Sequence, residues 1–171
     1  AVRRSLDPLA QHSDEALWAV LQTVDMARTV RGLEGGLGAE SDESGSNFSV
    51  GERQLLCFAR AMLRAPRLLV LDEATASVDH LADERIQRAI RGAMRSTTLL
   101  TVAHRLHTVM DYDRILVLSD GKCAEIGAPH ALLQEPASSL SELVDLIGGE
   151  VGLKLRDIAR RSASTAGAKQ E

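Results

Sequence analysis

A chain of 171 residues is enough for one domain or a part of one, and its 44 % hydrophobic content supports a core. Only 2 % is aromatic, so Leu, Val, Ile, Ala and Met must fill that core. A net charge of −4 argues against a nucleic-acid binder, and no apolar run approaches the roughly 18 residues needed to cross a bilayer.

In chain order, Asp7-Pro8 closes a short opening that reads as extended and carries no hydrophobic signal core. Ser13 offers an N-cap to a helix through Ala16, Leu17, Val20, Leu21 and Val24, which recur at helical spacing. A Gly- and Ser-rich loop from Arg31 to Asn47 ends abruptly at Phe48-Ser49-Val50-Gly51-Glu52. Ser49 with Glu52 three residues on is a capping-box pattern. The helix it opens is expected to bury Leu55, Phe58, Ala59, Met62 and Leu63, with Arg53, Arg60 and Arg64 toward solvent, and Pro66 stops it.

Leu68-Leu69-Val70-Leu71 reads as a strand buried on both faces, of the kind found in parallel sheets, with Asp72 and Glu73 at its carboxyl end. Paired acids there can hold hydrated magnesium and polarise a water. Asp83 to Met94 is a second amphipathic helix, with Ile86, Ala89, Ile90 and Ala93 inward and Arg85, Arg88, Arg91 and Arg95 outward. Thr98 to Ala103 is the next strand, ending at His104. Ile115 to Leu118 reads as another buried strand, turned by Asp120-Gly121 into Lys122 to Ile126, a hairpin by its turn chemistry. Pro129 opens a short helix and Ser138 to Ile147 forms one more. From Gly148 the pattern weakens into a polar tail. Cys57 and Cys123 cannot form a disulfide framework, suit a reducing compartment and read as packing residues.

A glycine-containing helix start at Ser49-Val50-Gly51, then Asp72-Glu73, then Asp79, then His104 form an ordered set that resembles the ATP-binding cassette (ABC) transporter family over roughly residues 1 to 147. Phe48 to Glu52 is similar to the family signature, Leu68 to Glu73 to Walker B, Ala76-Ser77-Val78-Asp79 to the D-loop and His104 to the switch histidine. Ser5-Leu6-Asp7-Pro8, Arg53-Gln54-Leu55-Leu56-Cys57 and Ile115 to Leu118 resemble the second nucleotide-binding domain of multidrug-resistance-associated, or C-type, exporters.

The resemblance implies an α/β fold, a P-loop NTPase core of parallel sheet flanked by helices. It divides the chain into a helical subdomain over 1–50, part of the ATPase core over 51–147 and a C-terminal tail over 148–171. It also implies ATP and Mg2+ as ligands. Asp72 would hold magnesium through water, Glu73 would orient or deprotonate the attacking water, and His104 would meet the γ-phosphate. Ser49, Val50, Gly51 and Glu52 would face ATP held by a second nucleotide-binding domain, with Ser77 and Asp79 linking the two sites. The remaining partners are the rest of the domain and the transmembrane domains of a transporter, placing the chain at the cytoplasmic face of a membrane. Transport chemistry implies no nucleic-acid partner.

Departures from the family pattern are as informative. None of the three lysines, Lys122, Lys154 and Lys169, stands in a Gly-x-x-x-x-Gly-Lys-Ser/Thr loop, so the Walker A half is expected to be missing and the isolated chain inactive. Unpartnered strands would then leave apolar faces and edges uncovered. Glu52 stands where the family has glutamine, and a carboxylate near a γ-phosphate is unfavourable unless it turns into the cap.

Three alternatives compete: a truncated non-catalytic module acting by dimerisation, a chromosome-maintenance-type ATPase, and a metal-dependent hydrolase using Asp72, Glu73, Asp79 and His104. The second calls for coiled-coil heptads beside the signature, and none is present. His12, His80, His107 and His130 lack supporting context and read as structural or surface residues.

Overall fold

The computed structural model describes residues 1–40, 45–72, 80–94 and 96–167, which fall into two compact units, Ala1–Val102 and Ala103–Glu171. The break lies at 102/103, after the second strand, whereas the sequence reading divided the chain at 50/51 and 147/148. Residues 1–50 do not stand apart, because helices on both sides of that point share one core.

In the first unit α1 (Val2–Leu6), α2 (Asp14–Thr23) and α3 (Ala27–Gly32) precede α4 (Val50–Leu63), followed by β1 (Leu68–Asp72), α5 (His80–Ala93) and β2 (Thr98–Val102). The opening segment is therefore helical rather than extended; Val2 and Leu6, one turn apart, are both buried. Ser13 caps α2 by accepting from the Ala16 N–H. Ala65 (φ 42) breaks α4 just before Pro66. One core cluster joins Leu17, Leu21, Met26 and Val30 to Leu55 and Phe58 of α4 and to Ile86, Ala89 and Ile90 of α5. Each such side chain contributes about 1.5–3 kcal/mol by leaving water.

β1 and β2 pair in parallel, Leu68 opposite Thr98 through Asp72 opposite Val102, with α5 in the crossover. Thr97 Oγ1 donates to the Pro66 carbonyl at 2.9 Å and pins the two strand starts together. The expectation of strands buried on both faces fails. Leu71 is buried, but Leu68, Val70, Leu100 and Val102 remain 50–57 % exposed. Two strands with core on one side cannot bury the other face, so the uncovered apolar surface expected from the sequence is present.

The second unit holds β3 (Ile115–Ser119), β4 (Lys122–Gly127), α6 (Pro129–Leu132), α7 (Ser139–Ile147) and α8 (Gly149–Gly167). β3 and β4 form the expected antiparallel hairpin, with Asp120 (φ 50) and Gly121 (φ 72) both left-handed, as a type I′ turn requires. Leu116 and Leu118 are exposed, so β3 is not a buried strand either.

Glu125 Oε1 accepts from the Leu140 N–H (2.7 Å) and Ser138 Oγ (3.1 Å), joining the hairpin to the start of α7. The segment read as a polar tail is a 19-residue helix. Leu155 and Ala159 seat it in a core with Met110, Leu140 and Val144. Arg156 donates to the Leu133 carbonyl, Ser141 Oγ and Asp145, and Ser162 donates to the Asp111 carbonyl, so α8 is anchored along its length. Cys57 and Cys123 are exposed free thiols, not packing residues: Cys57 lies on the outer side of α4 and Cys123 on an open strand.

Candidate functional site

The local sequence around Ser49 builds the best-defined part of the site. Ser49 adopts an extended backbone (φ −61, ψ 163) and its hydroxyl accepts from the Glu52 N–H at 3.2 Å. In return the Glu52 carboxylate accepts from the Ser49 N–H at 2.9 Å. The capping box is complete, and it answers the difficulty posed by an acid at this position: the charge is turned into the cap.

Phe48, 4 % exposed, anchors the approach to the helix. Arg53 Nη1 donates to the Phe48 carbonyl at 2.8 Å and to the Gly45 carbonyl at 3.4 Å. Sequence periodicity placed Arg53 among solvated arginines; it is instead half-buried and holds the loop that leads into Ser49. Its hydrogen bonds run to backbone carbonyls, which side-chain patterning does not register.

The cap leaves Ser49 and Val50 exposed, with Gly51 buried behind them. The N–H groups of Val50 and Gly51 lie in the first turn, where amides have no carbonyl partner within the helix. Such a terminus receives anions, with the helix dipole adding to the attraction.

Asp72 is the last residue of β1, exposed, and opposite Val102 on β2. One exposed carboxylate at the carboxyl end of a parallel strand fits magnesium bound through water and substrate phosphates, which needs only one or two protein carboxylates. No cluster of three or more His, Cys, Asp or Glu able to hold a metal occurs among the described residues.

His104 is exposed two residues beyond β2 and belongs to the second unit. The structure thus brings Ser49, Val50, Gly51 and Glu52 together at one helix start and sets Asp72 in the same unit. Glu73, Ser77 and Asp79 lie outside the described residues. The second unit also has a cavity of about 340 Å3 bordered by His130, Leu133, Leu153, Arg156 and Arg160. None of the residues singled out from the sequence lines it.

Residues 4–76 match the family model described as ABC transporter. The chain is 48 % identical over 159 residues to ABC transporter C family member 3 of Dictyostelium discoideum, covering 93 % of this chain and 11 % of that protein. It is 45 % identical over 160 residues to ATP-binding cassette sub-family C member 4 of Homo sapiens (94 % and 12 %). Against sub-family C member 2 of Rattus norvegicus the identity is 48 % over 138 residues (81 % and 9 %). The chain therefore spans about a tenth of the length of these curated relatives. Among the described residues no helix is long and apolar enough to cross a membrane.

Proposed function

From a chain that carries an ABC transporter domain and resembles C-type, multidrug-resistance-associated relatives over most of its length, we propose that these residues form the signature-bearing part of a nucleotide-binding domain in a solute exporter. The observation that carries this reading is the capped start of α4, where Ser49 is exposed and the Glu52 carboxylate is folded back onto the Ser49 N–H.

In this reading Ser49, Val50 and Gly51 meet the γ-phosphate of ATP bound to a second domain. Asp72 holds magnesium through water. Glu73 orients or deprotonates the attacking water, His104 meets the developing charge, and Ser77 and Asp79 link the two domains. Magnesium, when bound, neutralises charge on the triphosphate. The parent is an ATP hydrolase working with transmembrane domains at the cytoplasmic face of a membrane.

No Gly-x-x-x-x-Gly-Lys-Ser/Thr loop occurs in these residues, so on their own they neither bind ATP tightly nor hydrolyse it. The test is binding of a fluorescent ATP analogue with magnesium to this chain and to one lengthened by the sequence that precedes it in its parent. Binding only by the longer protein supports the reading. Tight magnesium-dependent binding by the 171 residues alone would overturn it in favour of a metal-dependent hydrolase.

A further inference from the structure

The cavity of about 340 Å3 in the second unit has a chemistry that the nucleotide-facing reading does not use. His130 and Leu133, at α6, border it together with Leu153, Arg156, Asp157 and Arg160 of α8. Leu133 is buried in the core of this unit, whereas Leu153 is 70 % exposed on the same helix as the buried Leu155 and Ala159. Leucines beside a few convergent polar groups, in a volume at the small end of about 300–1,000 Å3, have the form of a small-molecule site.

Charge decides which molecule. A guanidinium carries five N–H donors. Arg156 directs three of them to the Leu133 carbonyl, Ser141 Oγ and Asp145 Oδ1, which fix its head in place and leave the others for a ligand. Among the described residues that border the cavity, Asp157 is the only carboxylate. Its two oxygens are divided between Arg160 Nη2 at 2.6 Å and Arg161 Nε at 2.7 Å. Asp145 balances Arg156, and Glu150 balances Lys154. Three guanidiniums therefore stand against two carboxylates, and one positive charge is left over. The sharing also makes Arg160 available, since Asp157 keeps Arg161 if Arg160 turns to a ligand. Arg160 is exposed, so that turn disturbs no packing.

We propose that this cavity is a binding site for a small amphipathic monoanion, a carboxylate joined to a compact apolar group. Arg160 and the remaining N–H donors of Arg156 meet the carboxylate, and the apolar group lies against Leu133 and Leu153. The site stands apart from the nucleotide-facing reading, because every residue in it belongs to the second unit.

The test uses the full chain, uniformly labelled with 15N and titrated with benzoate, benzamide and acetate. The Nε–H signals of Arg156 and Arg160 are followed. Benzoate should shift both saturably, with a dissociation constant of about 1 mM for so small a probe. Benzamide keeps the ring without the charge, and acetate keeps the charge without the ring. Each should bind at least about fivefold more weakly than benzoate. Arg160→Gln and Leu153→Asn alter exposed side chains and should each weaken benzoate by about fivefold, screening having trimmed the charged contact. An unchanged Leu140 amide signal in both variants shows that the unit keeps its fold.

Absence of a saturable shift at Arg156 and Arg160 overturns the site. So does benzoate binding in Arg160→Gln as tight as in wild type, or equal affinity for benzamide. Equal affinity for acetate, or full benzoate affinity in Leu153→Asn, overturns the amphipathic class of ligand.

Discussion

Ser49 combines a structural and a proposed chemical role, and substitution can separate them. Its hydroxyl caps α4 through one 3.2 Å bond from the Glu52 N–H. Removing an N-cap of this kind costs about 1 kcal/mol, within a range of about 0.5–2. Losing the hydroxyl also frees half of the reciprocal pair, although the Glu52 carboxylate can still accept from the residue 49 N–H. Ser49→Ala should therefore destabilise the first unit by about 1 kcal/mol. With a urea slope of about 1–3 kcal/mol/M, the midpoint should fall by roughly 0.3–1 M.

Ser49→Asp keeps a capping oxygen of equal rank. Its attraction to the helix dipole is offset by repulsion from Glu52, so stability should stay within about 0.5 kcal/mol of wild type. Yet it sets a negative charge where a γ-phosphate would approach. Trp18 is the chain's single tryptophan, on α2 beneath the Arg31 guanidinium (4.9 Å), so its fluorescence reports unfolding of the first unit alone. An alanine variant as stable as wild type, or an aspartate variant as unstable as alanine, would refute the capping argument.

Leu55, 1 % exposed at the centre of the first core, should cost about 2–5 kcal/mol when cut to alanine, read by the same Trp18 transition. By contrast Leu100→Thr, on the exposed strand face, should change stability by no more than about 0.5 kcal/mol while raising the concentration at which light scattering detects association. Glu125→Ala should lower the amide-exchange protection of Leu140, because it removes the acceptor for both the Leu140 N–H and Ser138 Oγ at the α7 start.

Asp157 is held below the usual carboxylate pKa chiefly by its hydrogen bond from Arg160, which with the charges of Arg161 and Arg160 outweighs the opposing effect of burial. A depressed folded pKa means this contribution is present above the unfolded value and lost as pH falls through the folded one. Acid titration followed by helical circular dichroism should therefore show loss of α8 at higher pH in Asp157→Asn than in wild type.

Local signals carried best from sequence to structure. Ser13, Ser49 with Glu52, Pro129 and Ser138 start helices as expected, and Asp120-Gly121 turns a hairpin, because each preference is satisfied within three or four residues of backbone. Burial was less legible. Leu68, Val70 and Leu116 have strand character, but what covers a strand is a property of its neighbours, and here one face has none. α8 was hidden by Gly149, Gly152 and a polar composition; the side chains that dock it, Arg156 and Ser162, gain partners only through tertiary contact.

Of the candidate site, the capping box of Ser49 and Glu52 was readable, including the turned-in carboxylate.

The 14 residues of α4 join two ends of contrasting chemistry, a start closed by the Ser49–Glu52 capping box and a finish whose Leu63 carbonyl lies 3.1 Å from His12 Nε2. At about 1.5 Å per residue this is a rod roughly 20 Å long, buried along one side and stiff because its hydrogen bonds run end to end. A tilt of about 5° pivoting on Leu63 would carry Ser49 through nearly 2 Å, by simple geometry on that length. Under the proposed function, the position of Ser49 would therefore answer to residues about 20 Å away, because leverage magnifies a small loosening at the Leu63 end.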